Sequence, residues 1–119
     1  MRASDALGSY GEQVAVTHLL GRGMTVLARN WRCELGELDI VARDGDTLVV
    51  CEVKTRAGTG FGSPHEAVTA AKAARLHRLA ERWIDDHGVR PPEVRIDVIA
   101  VLRPRRGAAT LEHVQGIVA

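Results

Sequence analysis

Residues 36–54, GELDIVARDGDTLVVCEVK, read as two strand-like runs joined by a turn. Side chains alternate faces along a strand, so Glu52 and Lys54 project from one side while Val53 points to the other. Leu38, Ile40 and Ala42 before the turn, and Val49, Cys51 and Val53 after it, form two apolar sets that one buried face would accommodate. A one-residue slip would turn every one of those side chains outward, so the pattern restricts the register. With Asp44-Gly45 as the centre of a two-residue turn, Asp39 is expected opposite Val50, with Glu52 one diagonal step away on the same face. The register that buries the apolar sets therefore also gathers Asp39, Glu52 and Lys54.

Two carboxylates and an ammonium on one patch of sheet suit a divalent cation and, with it, phosphodiester hydrolysis. The alternative is a solvated outer face carrying an ordinary surface ion pair. Two carboxylates about 4 Å apart repel by roughly 4 kcal/mol at an effective dielectric near 20, and Lys54 could offset part of that. Residue usage argues against the plain surface. The chain has fourteen arginines and two lysines, yet the position after Glu52-Val53 is a lysine, the compact ammonium whose proton affinity responds to its surroundings. Val49–Val53 is also too apolar for an exposed strand, which places the acidic pair in a covered sheet.

At 119 residues the chain is expected to form a single domain, 1–119, around one core. A net charge of +1 excludes a generic polyanion binder, so any nucleic-acid surface must come from local clustering of arginines. Cys33 and Cys51 do not make a metal knuckle and read as free thiols of a reducing compartment. The five histidines do not fall at metal spacing. No long apolar run or signal-like core is present, so a cytoplasmic protein without membrane association is expected. Four aromatic residues are too few for single-strand binding by base stacking.

Along the chain, Ser4 or Asp5 could cap a first helix to about Leu20, its stripe made by Leu7, Gly11, Val14, Ala15 and Leu19. Met24 to Trp31 reads as a strand, followed by the hairpin and a Gly-rich loop from Ala57 to Gly62. Ser63-Pro64-His65-Glu66 has the pattern of a capping box opening a second helix that ends at about His87, before Gly88. Val94–Leu102 and Thr110–Val114 complete the strands. The order is α-β-β-β-α-β-β, with the second helix crossing over between parallel strands. Lys72 should lean from that helix toward the sheet, near enough for a substrate phosphate or for water. Arg75, Arg78 and Arg82 form a stripe beside the apolar face, and Arg56 follows Lys54 by two residues. Asp97 lies on the face opposite Ile96 and Val98, suited to organising Arg95 or a helix terminus and not to catalysis.

Gly11-Glu12, Ala28-Arg29-Asn30-Trp31-Arg32, Gly36-Glu37-Leu38-Asp39, Glu52-Val53-Lys54-Thr55-Arg56 and Arg95-Ile96-Asp97-Val98 together resemble the YraN-like family. These are small bacterial proteins predicted to be endonucleases, within the restriction-endonuclease-like superfamily and related to archaeal Holliday-junction resolvases. Leu38 stands where the general nuclease motif has proline, a change that leaves the carboxylate in place. The resemblance implies an α/β restriction-endonuclease-like fold, a mixed central sheet flanked by helices. It implies Asp39 and Glu52 as ligands of Mg2+ or Mn2+, Glu12 as a first-helix acid contributing to the same site, and Lys54 as the residue that orients the attacking water. Arg56, Lys72 and Arg75 are the expected DNA contacts. The function implied is a metal-dependent endonuclease on double-stranded or branched DNA, with a homodimer and a recombination or helicase partner both compatible. Two other readings stand beside it: a non-cleaving DNA-binding or recruitment module, and a nuclease active only with a partner protein.

Overall fold

The computed structural model describes residues 3–58 and 68–117. Seven elements follow in the expected order: α1 (Ala3–Gly21), β1 (Thr25–Cys33), β2 (Gly36–Asp44), β3 (Thr47–Ala57), α2 (Ala70–His87), β4 (Glu93–Arg103) and β5 (Thr110–Val114). The strands form one mixed sheet in the order β1-β2-β3-β4-β5. Only the β3–β4 pair is parallel, and α2 connects those two strands.

The apolar runs of β3 and β4 have the composition of strands covered on both faces, and they are. Val49, Cys51, Ile99 and Val101 pack with Ala15, Val16 and Leu19 of α1. Val50, Ile96 and Val98 pack with Leu76, Leu79, Ala80 and Trp83 of α2. The three inner strands thus lie between the two helices. Among the described residues, no helix is long and apolar enough to cross a membrane.

The hairpin departs from expectation in its register. Ile40 pairs with Cys51, Val41 with Val50 and Asp44 with Thr47, a shift of two residues from the expected pairing. The turn is Gly45-Asp46, not Asp44-Gly45, with Gly45 at φ 60. A positive φ at the first central position is where a two-residue hairpin turn calls for glycine. A shift of two leaves every residue on its own face, which is why period-two patterning alone could not detect it. The single apolar face is also corrected: Ile40 and Ala42 join the core beneath α1, whereas Leu38 joins the core beneath α2. Alternation therefore breaks between Leu38 and Ile40, at Asp39.

Both helix starts differ from expectation. Helix α1 begins at Ala3, which puts Ser4 and Asp5 inside it and not at its cap. Helix α2 begins at Ala70, where the Thr69 side chain accepts a hydrogen bond from the Lys72 N–H. The expected cap at Ser63 and most of the Gly-rich loop lie outside the described residues. The C-terminus of α2 is as expected: Gly88 adopts φ 63 and donates to carbonyls of the last turn.

Candidate metal and phosphodiester site

Strands β2 and β3 stop pairing after Ile40 and Cys51. Beyond that point β2 continues against β1 as far as Gly36, and β3 continues against β4 as far as Ala57. The sheet therefore opens between its second and third strands. A cleft of about 570 Å3 fills the opening, lined on one wall by Leu7, Ser9 and Glu12 and on the other by Asp39, Lys54 and Arg56. Asp39 stands where the ladder ends. Its Oδ2 accepts a 2.9 Å hydrogen bond from the Val53 N–H, which holds the carboxylate between the strands.

The electrostatics of Asp39 are unusual. Burial pushes its pKa up, the Glu52 carboxylate pushes in the same direction, and the Val53 N–H only partly opposes them. Glu12 and Glu37 add to the rise, and the group reaches about 7. Among the described residues it makes no ion pair, while its neighbours Glu37, Glu52 and Lys54 do. This is a half-buried anion surrounded by like charge, an environment that a cation would relieve.

Glu12 reaches the cleft because Gly11 lets α1 approach β3. A Cβ at Gly11 would lie 2.8 Å from Thr55 Cβ, closer than packed carbons can sit. Burial raises the pKa of Glu12, and the nearby Asn30 side chain opposes the rise. Asn30 itself has φ 51, left-handed backbone within a strand. Asparagine tolerates that conformation better than most residues. Sequence reasoning passed over Asn30 as a site residue; an asparagine in a strand, between Arg29 and Trp31, is the signal that could have found it.

Glu52 is turned toward α2. Its Oε1 lies 2.8 Å from Lys72 Nζ and 3.9 Å from Lys54 Nζ. The expected lean of Lys72 toward the sheet is thus observed. Burial works against the charge on Lys72, but Glu52 outweighs it and the pKa rises. Burial and the neighbouring Lys72 lower the pKa of Lys54. Arg75 lies exposed on α2 near Lys72, and exposed Arg56 donates to the Thr55 carbonyl at 3.2 Å. Arg82, expected in the same stripe as Arg75, is instead engaged with Glu34 at 2.6 Å and Asp86 at 3.3 Å.

The structure thus gathers Asp39, Glu12, Lys54 and Arg56 around one cleft, with Glu52 and Lys72 beside it on the α2 face. It does not bring the three acids into a closed cluster: among the described residues, no three carboxylate, histidine or cysteine groups converge as a ready metal shell. The donors are nevertheless all oxygen, and the Asp39 charge is uncompensated, which fits Mg2+ or Mn2+ better than a thiolate-seeking metal.

A model of the uncharacterised protein family UPF0102 matches residues 11–101. A UPF0102 protein of Streptomyces coelicolor is 61% identical over 119 residues, covering 98% of this chain and 92% of its own. One from Kineococcus radiotolerans is 60% identical over 118 residues, covering 98% and 97%. One from Nocardioides is 60% identical over 112 residues, covering 94% and 90%. The chain belongs to the UPF0102 family, to which the YraN-like resemblance of its motifs points.

Proposed function

We propose that the cleft between β2 and β3 hydrolyses phosphodiester bonds of DNA with the help of a bound Mg2+ or Mn2+. The observation that carries this reading is Asp39: a carboxylate held at the mouth of a parted sheet, raised to about 7 by burial and Glu52, without an ion pair among the described residues. Asp39 and Glu52 would hold the ion, with Glu12 contributing from α1. Bound there, the ion would polarise a phosphoryl oxygen and offset charge as it develops. Lys54, whose pKa is lowered by burial and Lys72, suits a group that orients the attacking water. Attack forms a bond from water oxygen to phosphorus and breaks the ester bond to the leaving sugar oxygen. Arg56 and Arg75 are placed to contact the DNA backbone. Contacts of that kind position a duplex without reading its sequence, so branched or structured DNA remains the substrate class favoured by family resemblance.

A second reading has its own observation. Glu52 is already neutralised by Lys72 at 2.8 Å, as expected of a non-cleaving recruitment module or of a nuclease that needs a partner to open its site. Cleavage assays on linear, flapped and four-way DNA separate these readings. With Mn2+ or Mg2+ the wild type should cut at least one of these substrates, and Asp39→Asn should reduce cutting to background. DNA binding without cutting under every condition would favour the recruitment module.

A further inference from the structure

The two lysines of this chain, set against fourteen arginines, both approach the same carboxylate oxygen. We infer that Lys72 is a built-in placeholder for the divalent ion at Glu52: its ammonium occupies the carboxylate in the metal-free protein and leaves when the ion binds. The inference rests on the proposed metal site and adds to it a device that controls loading.

The geometry supports exchange and not co-occupancy. Lys72 Nζ sits 2.8 Å from Glu52 Oε1, with the two side chains 21% and 12% exposed. An ammonium at that distance already neutralises the carboxylate charge that would attract an incoming cation. A divalent ion beside it would also meet a like charge at close range in a half-buried setting, where repulsion is poorly screened. Lys54, at 3.9 Å from the same oxygen, is too far to block it. Lysine is the suitable residue for the exchange. Its point charge rides on a flexible four-carbon stem and can swing away, whereas a planar guanidinium would lock onto the carboxylate through two bonds. Lys72 lies in the opening turn of α2, a turn without an acidic side chain, so that turn offers no carboxylate to capture the released ammonium. A phosphate of a bound DNA strand would be its natural next partner.

With only two lysines, a lysine-labelled NMR spectrum of the wild-type protein contains two side-chain signals, assignable with Lys54→Met and Lys72→Met. Titration with Mg2+ should move the Lys72 Cε and Nζ signals toward those of an exposed lysine, with the midpoint of the calorimetric binding curve. Lys72→Met should bind Mn2+ about fivefold or more tightly than wild type, because the competing charge is gone. Lys54→Met should tighten binding less. A Lys72 signal that stays in place while Mg2+ binds would overturn the exchange and leave the metal site standing, as would unchanged Mn2+ affinity in a folded Lys72→Met. If the wild type and both variants fail to bind either ion, the metal site itself falls, and the placeholder with it.

Discussion

Two aspartates of the same sheet, on strands β2 and β4 that flank β3, meet opposite fates. Asp97 on β4 is fully buried, yet it is satisfied from all sides. It accepts hydrogen bonds from Arg95 Nε at 2.9 Å and Nη2 at 3.2 Å, and from the Gly116 N–H at 3.0 Å; His113 Nε2 lies 2.8 Å from its other oxygen. Burial alone would raise its pKa, but His113, Arg95 and Gly116 reverse the direction and hold it low. Asp39 on β2 receives one backbone N–H, has carboxylates for neighbours, and is pushed up to about 7. The first arrangement is finished and holds the fold, tying the segment after β5 to β4. The second is incomplete in the protein alone, as a site poised for a cation would be. The contrast separates burial with its charge met from burial with its charge unmet, and the proposed cation site rests on the second.

The comparison is most easily broken at Asp97. Asp97→Ala would leave Arg95 without its buried partner and should destabilise the protein by about 3–5 kcal/mol in chemical denaturation. A change within 1 kcal/mol would mean that the network contributes little.

The pH dependence should separate the two groups by sign. The folded-state pKa of Asp39 is raised, so the folded protein binds the proton more tightly than the unfolded chain. Its contribution is fully present below the unfolded carboxylate value and is lost as pH rises through about 7. Metal-free protein should therefore lose roughly 2–3 kcal/mol from this group between pH 5 and pH 8. The folded-state pKa of Asp97 is depressed, so its contribution holds at neutral pH and is lost as pH falls below the ordinary carboxylate range. Asp39→Asn should remove the loss at high pH, and in chelator at pH 8 it should be more stable than wild type by about 1–3 kcal/mol. Destabilisation by that substitution would contradict the charge assignment.

Smaller effects sharpen the picture around the cleft. Gly11→Ala forces a methyl group against Thr55 and should cost about 1–2 kcal/mol, with metal affinity falling as Glu12 is displaced. Glu12→Gln should change stability by no more than about 0.5 kcal/mol while still weakening the ion. A stability loss from Glu12→Gln as large as that of Gly11→Ala would make Glu12 a structural residue.

Much of this was legible in the chain because local patterns carried it. The order of elements, the exact span of β5 and the glycine ending α2 follow from periodicity and caps. The shared face of Glu52 and Lys54 on β3 was legible because a two-residue shift preserves faces, whereas the place of Asp39 was not, because alternation breaks there. The parting of β2 from β3 could not be read, since Leu38 and Ile40 look alike in sequence and only the packing of two helices on opposite faces sends them apart. The partners of Asp97 were equally hidden: His113 and Gly116 lie 16 and 19 residues away, beyond the reach of any local pattern. The ion pair between Glu52 and Lys72 was half legible, as the lean of a lysine but not its target.

The central claim is that Asp39 marks a cation site, and calorimetric titration of Mn2+ into wild type, Asp39→Asn and Glu52→Gln tests it most directly. Saturable binding by the wild type that disappears in Asp39→Asn and weakens sharply in Glu52→Gln, with all three proteins folded, is the predicted result. Absence of binding by the wild type, or unchanged binding by Asp39→Asn, would contradict it.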